Sequence, residues 1–507
     1  MQPTNNQLNT GCYFLIKYGE AFMNKKINIS ERTIVIISCI ILSFIALRVL
    51  FIKPLIGMAD NGDFFREINN AGLYYLSDNY KDRHFGYFNR LYGIRQYLYE
   101  SNDVFISSLF ILIKIALFIN KIFISGKIFD LRVLAILYFS FFILAFFMIM
   151  NFFSKIVKKP VLLVMVSLTI FIFGDIGYLA YFNSFYGEPA SYVFFFLMLG
   201  IVFKISDENS PRLKLFIFYT IVSTIFITAK QQNTPTIILL LILNTRILTL
   251  RKSKLWKLIV AAGTAVIVVA SICTYALITQ NISHINKYHA YTRGILSESS
   301  DQEKDTEALG LNKKFTILNG TTYYDKYFIE NPESKRMNEE FYKNLSYFSI
   351  IKYYLTHIDK LSGKLNMAAK NSFIIRPDAI GNYEKAYGNK YGGKTYFFTA
   401  WSSIKCRLFP RNFKFILFFY ASFYGMLMKA YIEGFIKKDL RLKMIIEILA
   451  IVGVIGIMQF GISFLGAGDA DISKHLFLFN VCFDCMLISQ VIFIFSYIYQ
   501  RFILKKR

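Results

Sequence analysis

TIVIISCIILSFIALRVLFI, residues 33–52, carries one charge, Arg48, in a run matching the ~20 apolar residues that a membrane-crossing helix needs. It opens onto KPLIGMADNGDF, residues 53–64, so the acidic turn Asp60-Asn61-Gly62-Asp63 lies where the span leaves the bilayer. Carboxylates at such a lip sit at the border of water and lipid. They can act on a substrate whose head is polar and whose tail is in the membrane.

The same pattern recurs along the chain. Apolar runs occupy about 132–153, 160–183, 190–204, 214–229, 235–249, 257–279, 412–433, 443–465 and 475–497, with a further run at 104–120. Of the 507 residues, 55% are hydrophobic and 18% aromatic, which suits a polytopic helical membrane protein better than several soluble cores. No short alternating strands of the kind a membrane barrel needs are evident. The net charge of +25 fits basic loops beside anionic headgroups, and no nucleic-acid-binding module accompanies it. Cys39, Cys273, Cys482 and Cys485 fall in hydrophobic stretches and read as small apolar groups. No cleavable signal peptide is expected, because the first thirty residues are polar and mixed and the first span is long enough to anchor.

Lysine and arginine accumulate on the cytoplasmic side of membranes. If 104–120 crossed, Lys155–Lys159 and Arg246–Lys257 would fall outside. If it lies along the outer surface, those clusters, Lys204–Lys214, Lys437–Lys443 and the tail Arg501–Arg507 are all inside, with Lys25, Lys26 and Arg32. Lys114 and Lys121 also suit an interfacial helix. The expected fold is therefore an all-α polytopic membrane protein of about ten transmembrane helices. Residues 1–32 are a cytoplasmic N-terminus. Residues 33–279 form a transmembrane region, with a first acidic loop at 53–131 (interfacial helix 104–123) and a second at 183–189. Residues 280–411 are extracytoplasmic. Residues 412–507 hold the last helices and a basic cytoplasmic tail.

Four polar motifs then face the non-cytoplasmic side. In the first, Asp63 reads equally as a cap for the helix beginning near Phe64 and as a functional acid, so Asp60 is favoured for the chemistry. Arg66 follows on that helix. In the second, Tyr186-Gly187-Glu188-Pro189, Glu188 could merely favour a helix start, yet an acid at this depth is costly unless used or paired. Asp175, within the preceding span, awaits a partner. The third is Lys230-Gln231-Gln232-Asn233, where a lysine can snorkel but four consecutive polar groups suggest a lined cavity. The fourth, Gly468 to His475, offers Lys474 and His475 as donors to an anion, with Asp469 and Asp471 able to neutralise or cap. Lysine is a good point-charge partner for phosphate. Oxygen ligands suit Mg²⁺ or Mn²⁺, so a divalent ion between Asp60, Asp63 and Glu188 is chemically reasonable if the three acids meet. His284 and His289 make a poor metal pair.

This layout resembles the integral membrane glycosyltransferases of the GT-C superfamily. The motifs that carry the resemblance are Asp60-Asn61-Gly62-Asp63-Phe64 after a short first span, the interfacial helix, Phe129-Asp130-Leu131-Arg132 opening the second span, Tyr186-Gly187-Glu188-Pro189, and the long exterior segment. Residues 30–200 carry it best. It implies a polyprenyl-phosphate sugar donor, an extracytoplasmic active site and a first-loop aspartate, matched by Asp60, as base or acceptor-binding acid. The usual Asp-Glu pair is absent, since Asn61 follows Asp60, and the role of Asp63 stays open. The chain is also similar to bacterial hexose transferases of surface-glycan assembly.

The expected function is transfer of a sugar, a hexose by this resemblance, to a glycan, lipid or protein acceptor at the outer face of the cytoplasmic membrane, with inversion. Asp60, Asp63 and Glu188 are the catalytic candidates. Lys230, Lys474 and His475 would hold the donor phosphate, and Arg66, Tyr186, Gln231, Gln232 and Asn233 would bind substrate among the membrane lipids. Two other classes compete. A transporter or flippase of lipid-linked saccharides would spread polar residues through the membrane depth. A non-catalytic assembly subunit would tolerate changes at Asp60 and Glu188.

Overall fold

The computed structural model describes residues 29–96, 107–207, 212–466, 468 and 471–503. The opening stretch forms a helix, Glu31–Leu50, started by Ser30, whose side chain accepts the Thr33 N–H at 3.1 Å. Val35, Leu42, Ala46 and Val49 bury one stripe, whereas Ile36, Ile40, Phe44 and Leu47 point outward. A helix apolar on both faces needs protein on one side and lipid on the other. Six more described helices are long and apolar enough to cross: Arg132–Phe153, Gly187–Asp207, Lys254–Ala276, Phe413–Ile436, Leu440–Leu465 and Phe477–Arg501. The chain is a multi-pass membrane protein.

The ten apolar runs are not ten equal helices. Lys159–Phe173 and Ile176–Phe182 bend by 57° and make one further crossing only if taken together. Asp175 sits at this break, where its carboxylate accepts from Gly177 N at 2.7 Å and Ser402 N at 2.9 Å. Its partners are thus mainly backbone amides. Leu213–Thr228 has 16 residues and Ile237–Leu248 has 12. At 1.5 Å per residue they rise about 24 and 18 Å, short of a ~30 Å hydrocarbon core. Helix length alone therefore yields seven crossings, or eight with the bent pair.

The run at 104–120 is a helix from Ser108 to Phe123; residues 104–106 lie outside the described residues. Ser108 Oγ donates to Ile225 O at 2.8 Å, and Asn120 Nδ2 donates to Ser125 O and Ile128 O. Its start is thereby tied to the helix Leu213–Thr228 and its end to the turn and strand that follow it. Leu109, Leu112, Ile113 and Ala116 face the protein, and Ile111, Ile115, Phe118 and Ile122 face outward.

An all-α chain was expected, and the loop-rich face corrects this with two small antiparallel sheets. Ile56–Met58 pairs with Ile380–Tyr383, while Leu73–Tyr75, Leu91–Ile94 and Ile128–Asp130 form a three-stranded sheet. Strands of three or four residues are too short to show an alternation, and their hydrogen bonds close only in the folded chain. The long segment 280–411 builds a core of its own around Tyr288, Tyr291, Phe315, Phe341 and Leu345. Further on, Ala400–Leu408 drives Trp401 and Lys405 against the last span, where Lys405 Nζ meets Asp484 Oδ1 at 2.6 Å with both side chains wholly buried.

Candidate functional site

The first acidic turn divides its two aspartates between different tasks. Asp60 is only 1% exposed. Its Oδ1 accepts from Gly62 N at 2.8 Å and Phe64 N at 3.1 Å, and its Oδ2 accepts from the Tyr75 hydroxyl. His84 Nδ1 lies 3.3 Å from that second oxygen, outside hydrogen-bond alignment. Backbone bonding between Asp60 and Phe85 locks the same corner. The carboxylate thus knits the loop together and faces inward. Asp63 does no capping: Phe64 caps the helix Phe65–Ala71 without a side-chain bond. Asp60, expected to carry the chemistry, here holds two amides and a phenol. Two amides and a phenol occupy three of its roughly four lone-pair sites, and the carboxylate is buried within the loop.

Asp63 is the acid that faces the lip. Its Oδ2 accepts from Lys474 Nζ at 2.5 Å and its Oδ1 lies 3.7 Å from Arg66 Nη2. Burial pushes its pKa up, but Lys474 and Arg66 outweigh this and hold it down to about 2. Burial likewise opposes the Lys474 charge, and Asp63, Asp471 and Glu188 overcome it and raise the ammonium pKa. Lys474 also lies over the Tyr186 ring at 4.7 Å and 3.4 Å from Asp471 Oδ2. Asn61 bridges the motifs, since it donates to Asp471 Oδ2 at 2.8 Å and accepts from the Tyr186 hydroxyl.

The remaining polar groups stack beneath this pair. Glu188 Oε1 accepts from Lys230 Nζ at 2.6 Å and is 2% exposed. Gln232 Nε2 donates to His475 O at 2.8 Å, and Gln459 Nε2 donates to Gln232 O at 3.0 Å. Asn233 is buried, donates to Ser191 Oγ at 2.8 Å and lines the small cavity below. Gln231 is half-buried and its backbone carbonyl holds Thr234. Burial, then Lys230 and Lys474, push the His475 pKa well down, so this ring is a neutral hydrogen-bonding group. A polar cavity of about 10 Å³ lies between Glu188, Lys230, Gln232, Gln459 and His475, near the least space that holds a water.

Residues 60–66, 186–188, 230–233 and 471–475 therefore meet at one lip, where Asp63, Glu188 and Asp471 pair with Arg66, Lys230 and Lys474. Asp469 lies outside the described residues. The triad suggested for Mg²⁺ or Mn²⁺ does not assemble. Asp60 turns toward Tyr75 while Asp63 and Glu188 each bind a lysine, and among the described residues no three His, Cys, Asp or Glu side chains could hold a metal. His284 stacks on Tyr342, and His289 accepts from Tyr323 N. Sequence reasoning missed Tyr75 as a partner of Asp60, His84 beside it, Gln459 below the site, and Tyr324, whose hydroxyl lies close enough to Arg66 to feel its charge. Lone residues in loops and spans carried no motif that could have found them.

A family model, the YfdI N-terminal transmembrane domain, matches residues 21–507, and the chain belongs to that family. It is 28% identical over 339 residues to the "Uncharacterized protein YfdI" of Escherichia coli (strain K12), a match covering 64% of this chain and 67% of that one. No solved structure matches it.

Proposed function

We propose that this YfdI-family membrane protein is an inverting glycosyltransferase of GT-C type. It moves a hexose from a polyprenyl-phosphate donor to an acceptor of surface-glycan assembly. The lip would lie outside the cytoplasmic membrane, with ten crossings and both termini cytoplasmic. The observation that carries the reading is the convergence of four motifs, far apart in sequence, into one balanced cluster of acids and cations above apolar helices. A lipid-linked sugar phosphate presents the same combination of chemistries. Its hydrocarbon tail lies between helices, its phosphate meets Lys230 and Lys474, and its sugar faces an acid.

In this reading Asp63 takes the acceptor proton and Asp60 positions the turn that presents Asp63. General-base help is typically worth ~10²–10⁴ in rate. Lys230 and Lys474 stabilise charge as it grows on the departing phosphate, with His475 as a neutral hydrogen-bond partner. Arg66, Tyr186 and Gln232 lie where they can contact substrate.

A one-sided site also fits better than a transport path. An apolar cavity of about 320 Å³ lies in the other half of the bundle. Between it and the lip, Tyr178, Tyr192 and Phe477 pack together, with the two tyrosines stacked at 5.6 Å. Tyr192 precedes the cavity residue Phe196 on its helix, and Phe477 precedes Cys485 on the last span.

The test is transfer of radiolabelled sugar from a panel of polyprenyl-phosphate hexoses by purified protein, beside Asp63→Asn and Asp60→Asn. Label should reach an acceptor with the wild type and not with Asp63→Asn. Intact donor together with labelled lipid crossing a proteoliposome bilayer would replace the enzyme by a transporter.

A further inference from the structure

The two lysines at the lip are already occupied. Lys474 Nζ lies 2.5 Å from Asp63 and Lys230 Nζ lies 2.6 Å from Glu188. The cavity beside Lys230, about 10 Å³, is too small for a phosphate, and the Lys474 side chain is only 9% exposed, with Asp63 and Asp471 against its ammonium. An anion can therefore enter only by taking lysines away from carboxylates. We propose that the site works by charge exchange: an incoming phosphate displaces Asp63 from Lys474, and the freed Asp63 becomes the base. This rests on the transferase reading for its chemistry, but the displacement itself is a binding event.

The geometry gives the exchange a direction. While paired, Asp63 is held down by Lys474 and Arg66, and so it is a weak base. Loss of its closest cation to a phosphate returns it toward the ordinary carboxylate range and adds a neighbouring negative charge, which strengthens it further. Asp63 then accepts the proton of the acceptor hydroxyl. The acceptor oxygen bonds to the anomeric carbon, and the electron pair of the breaking carbon–oxygen bond goes to the phosphate. Asp63 is now neutral and no longer competes for Lys474, just as the phosphate has gained a charge. Total charge at the lip is unchanged through the step. When Asp63 loses its proton to solvent it reclaims Lys474, and the product phosphate is weakened for release. Pairing of Asp63, Glu188 and Asp471 with Arg66, Lys230 and Lys474 gives each lysine a carboxylate partner within the chain. Because each lysine has an internal partner, anions that cannot displace a carboxylate are excluded.

The test uses farnesyl phosphate as a product-like probe, with inorganic phosphate and farnesol as separate arms, on the full-length protein in nanodiscs. With its competitor gone, Asp63→Asn should bind farnesyl phosphate at least about tenfold tighter than the wild type, a gain of ~1.4 kcal/mol. Adding Lys474→Met should erase the gain. A correctly folded Asp63→Asn that binds farnesyl phosphate no tighter than the wild type overturns the exchange. Infrared difference spectra of the wild type need no variant. Farnesyl phosphate should shift a carboxylate band, farnesol should not, and a phosphate-bound spectrum without a carboxylate change also overturns it. The same gain with inorganic phosphate supports exchange by the headgroup alone, and a gain confined to farnesyl phosphate supports exchange by a lipid phosphate. Absence of sugar transfer would sink the transferase reading and leave these equilibrium results standing.

Discussion

Replacing Asp484 by Asn tests what holds the exterior segment to the membrane bundle. Asp484 lies on the last span, below His475 and Phe477 at its start. It accepts from Lys405 Nζ at 2.6 Å, from Tyr178 OH at 2.5 Å and from Trp401 Nε1 at 3.0 Å. Neither Lys405 nor Asp484 is exposed. At this separation and an effective dielectric near 20, the attraction is about 6 kcal/mol before the cost of dehydrating both ions. Removing one partner leaves the other charge buried without compensation, which costs about 3–5 kcal/mol. The aromatic rings of Phe483, Trp401 and Phe373, at 5.2–5.9 Å from Lys405 Nζ, soften but do not replace the lost carboxylate. Asp484→Asn is therefore expected to lose about 3–5 kcal/mol. Lys405→Met with Asp484→Asn should regain at least about 2 kcal/mol of that, because the double variant buries no unpaired ion. Equilibrium unfolding in mixed micelles, followed by tryptophan fluorescence, measures both. Trp401 is one of only two tryptophans and touches the pair, so it reports on the clamp directly. A single variant within about 1 kcal/mol of the wild type would refute the reasoning.

Further outcomes follow from the lip and its surroundings. Asp60→Asn should destabilise the loop by about 1–3 kcal/mol, because it weakens charge-assisted bonds from two amides and Tyr75, and a lowered melting temperature checks this. The Asp63 pKa is depressed, so its contribution to stability is present above about pH 4 and lost as pH falls toward 2, and acid unfolding of the wild type minus that of Asp63→Asn should show the loss in this window. Glu67 has the opposite sign: burial raises its pKa to about 8 against weaker opposition from Arg66 and Ser107. Its contribution is full below about pH 4.5 and is lost as pH rises to about 8, so Glu67→Gln should gain on the wild type by a few kcal/mol across that range in pH-dependent melts. Gly468 has φ +62° and an added Cβ would lie 2.7 Å from Gly294 N, so Gly468→Ala should pry the exterior segment from the lip and speed limited proteolysis within 280–411.

The membrane class was legible because hydrocarbon tolerates only long apolar helices, and runs such as 33–52 and 132–153 declare themselves one residue at a time. The shared side of the four motifs was legible for a related reason. Alternating crossings and basic loops led to the expectation of one shared side, and the residues of these motifs do touch one another. Helix lengths were less legible. Gly174 and Asp175 interrupt one run with a 57° bend that apolar composition alone does not reveal. The strands at 56–58 and 380–383 were invisible because each exists only by virtue of a partner several hundred residues away.

Composition by itself thus determined that this chain lives in a membrane, and charge bias led to the expectation that its polar motifs share one face, but whether Lys230, Lys474, Glu188 and the first acidic turn meet was not readable from the sequence. Only the tertiary structure decided which aspartate is used up in the loop and which faces Lys474, a residue 411 positions away. The same holds for Lys405 and Asp484, 79 positions apart. The physical reason is range. Apolar burial in lipid and basic-loop bias act on every segment wherever its neighbours are, whereas a hydrogen bond or ion pair depends on a few ångströms that the chain reaches only after it has folded.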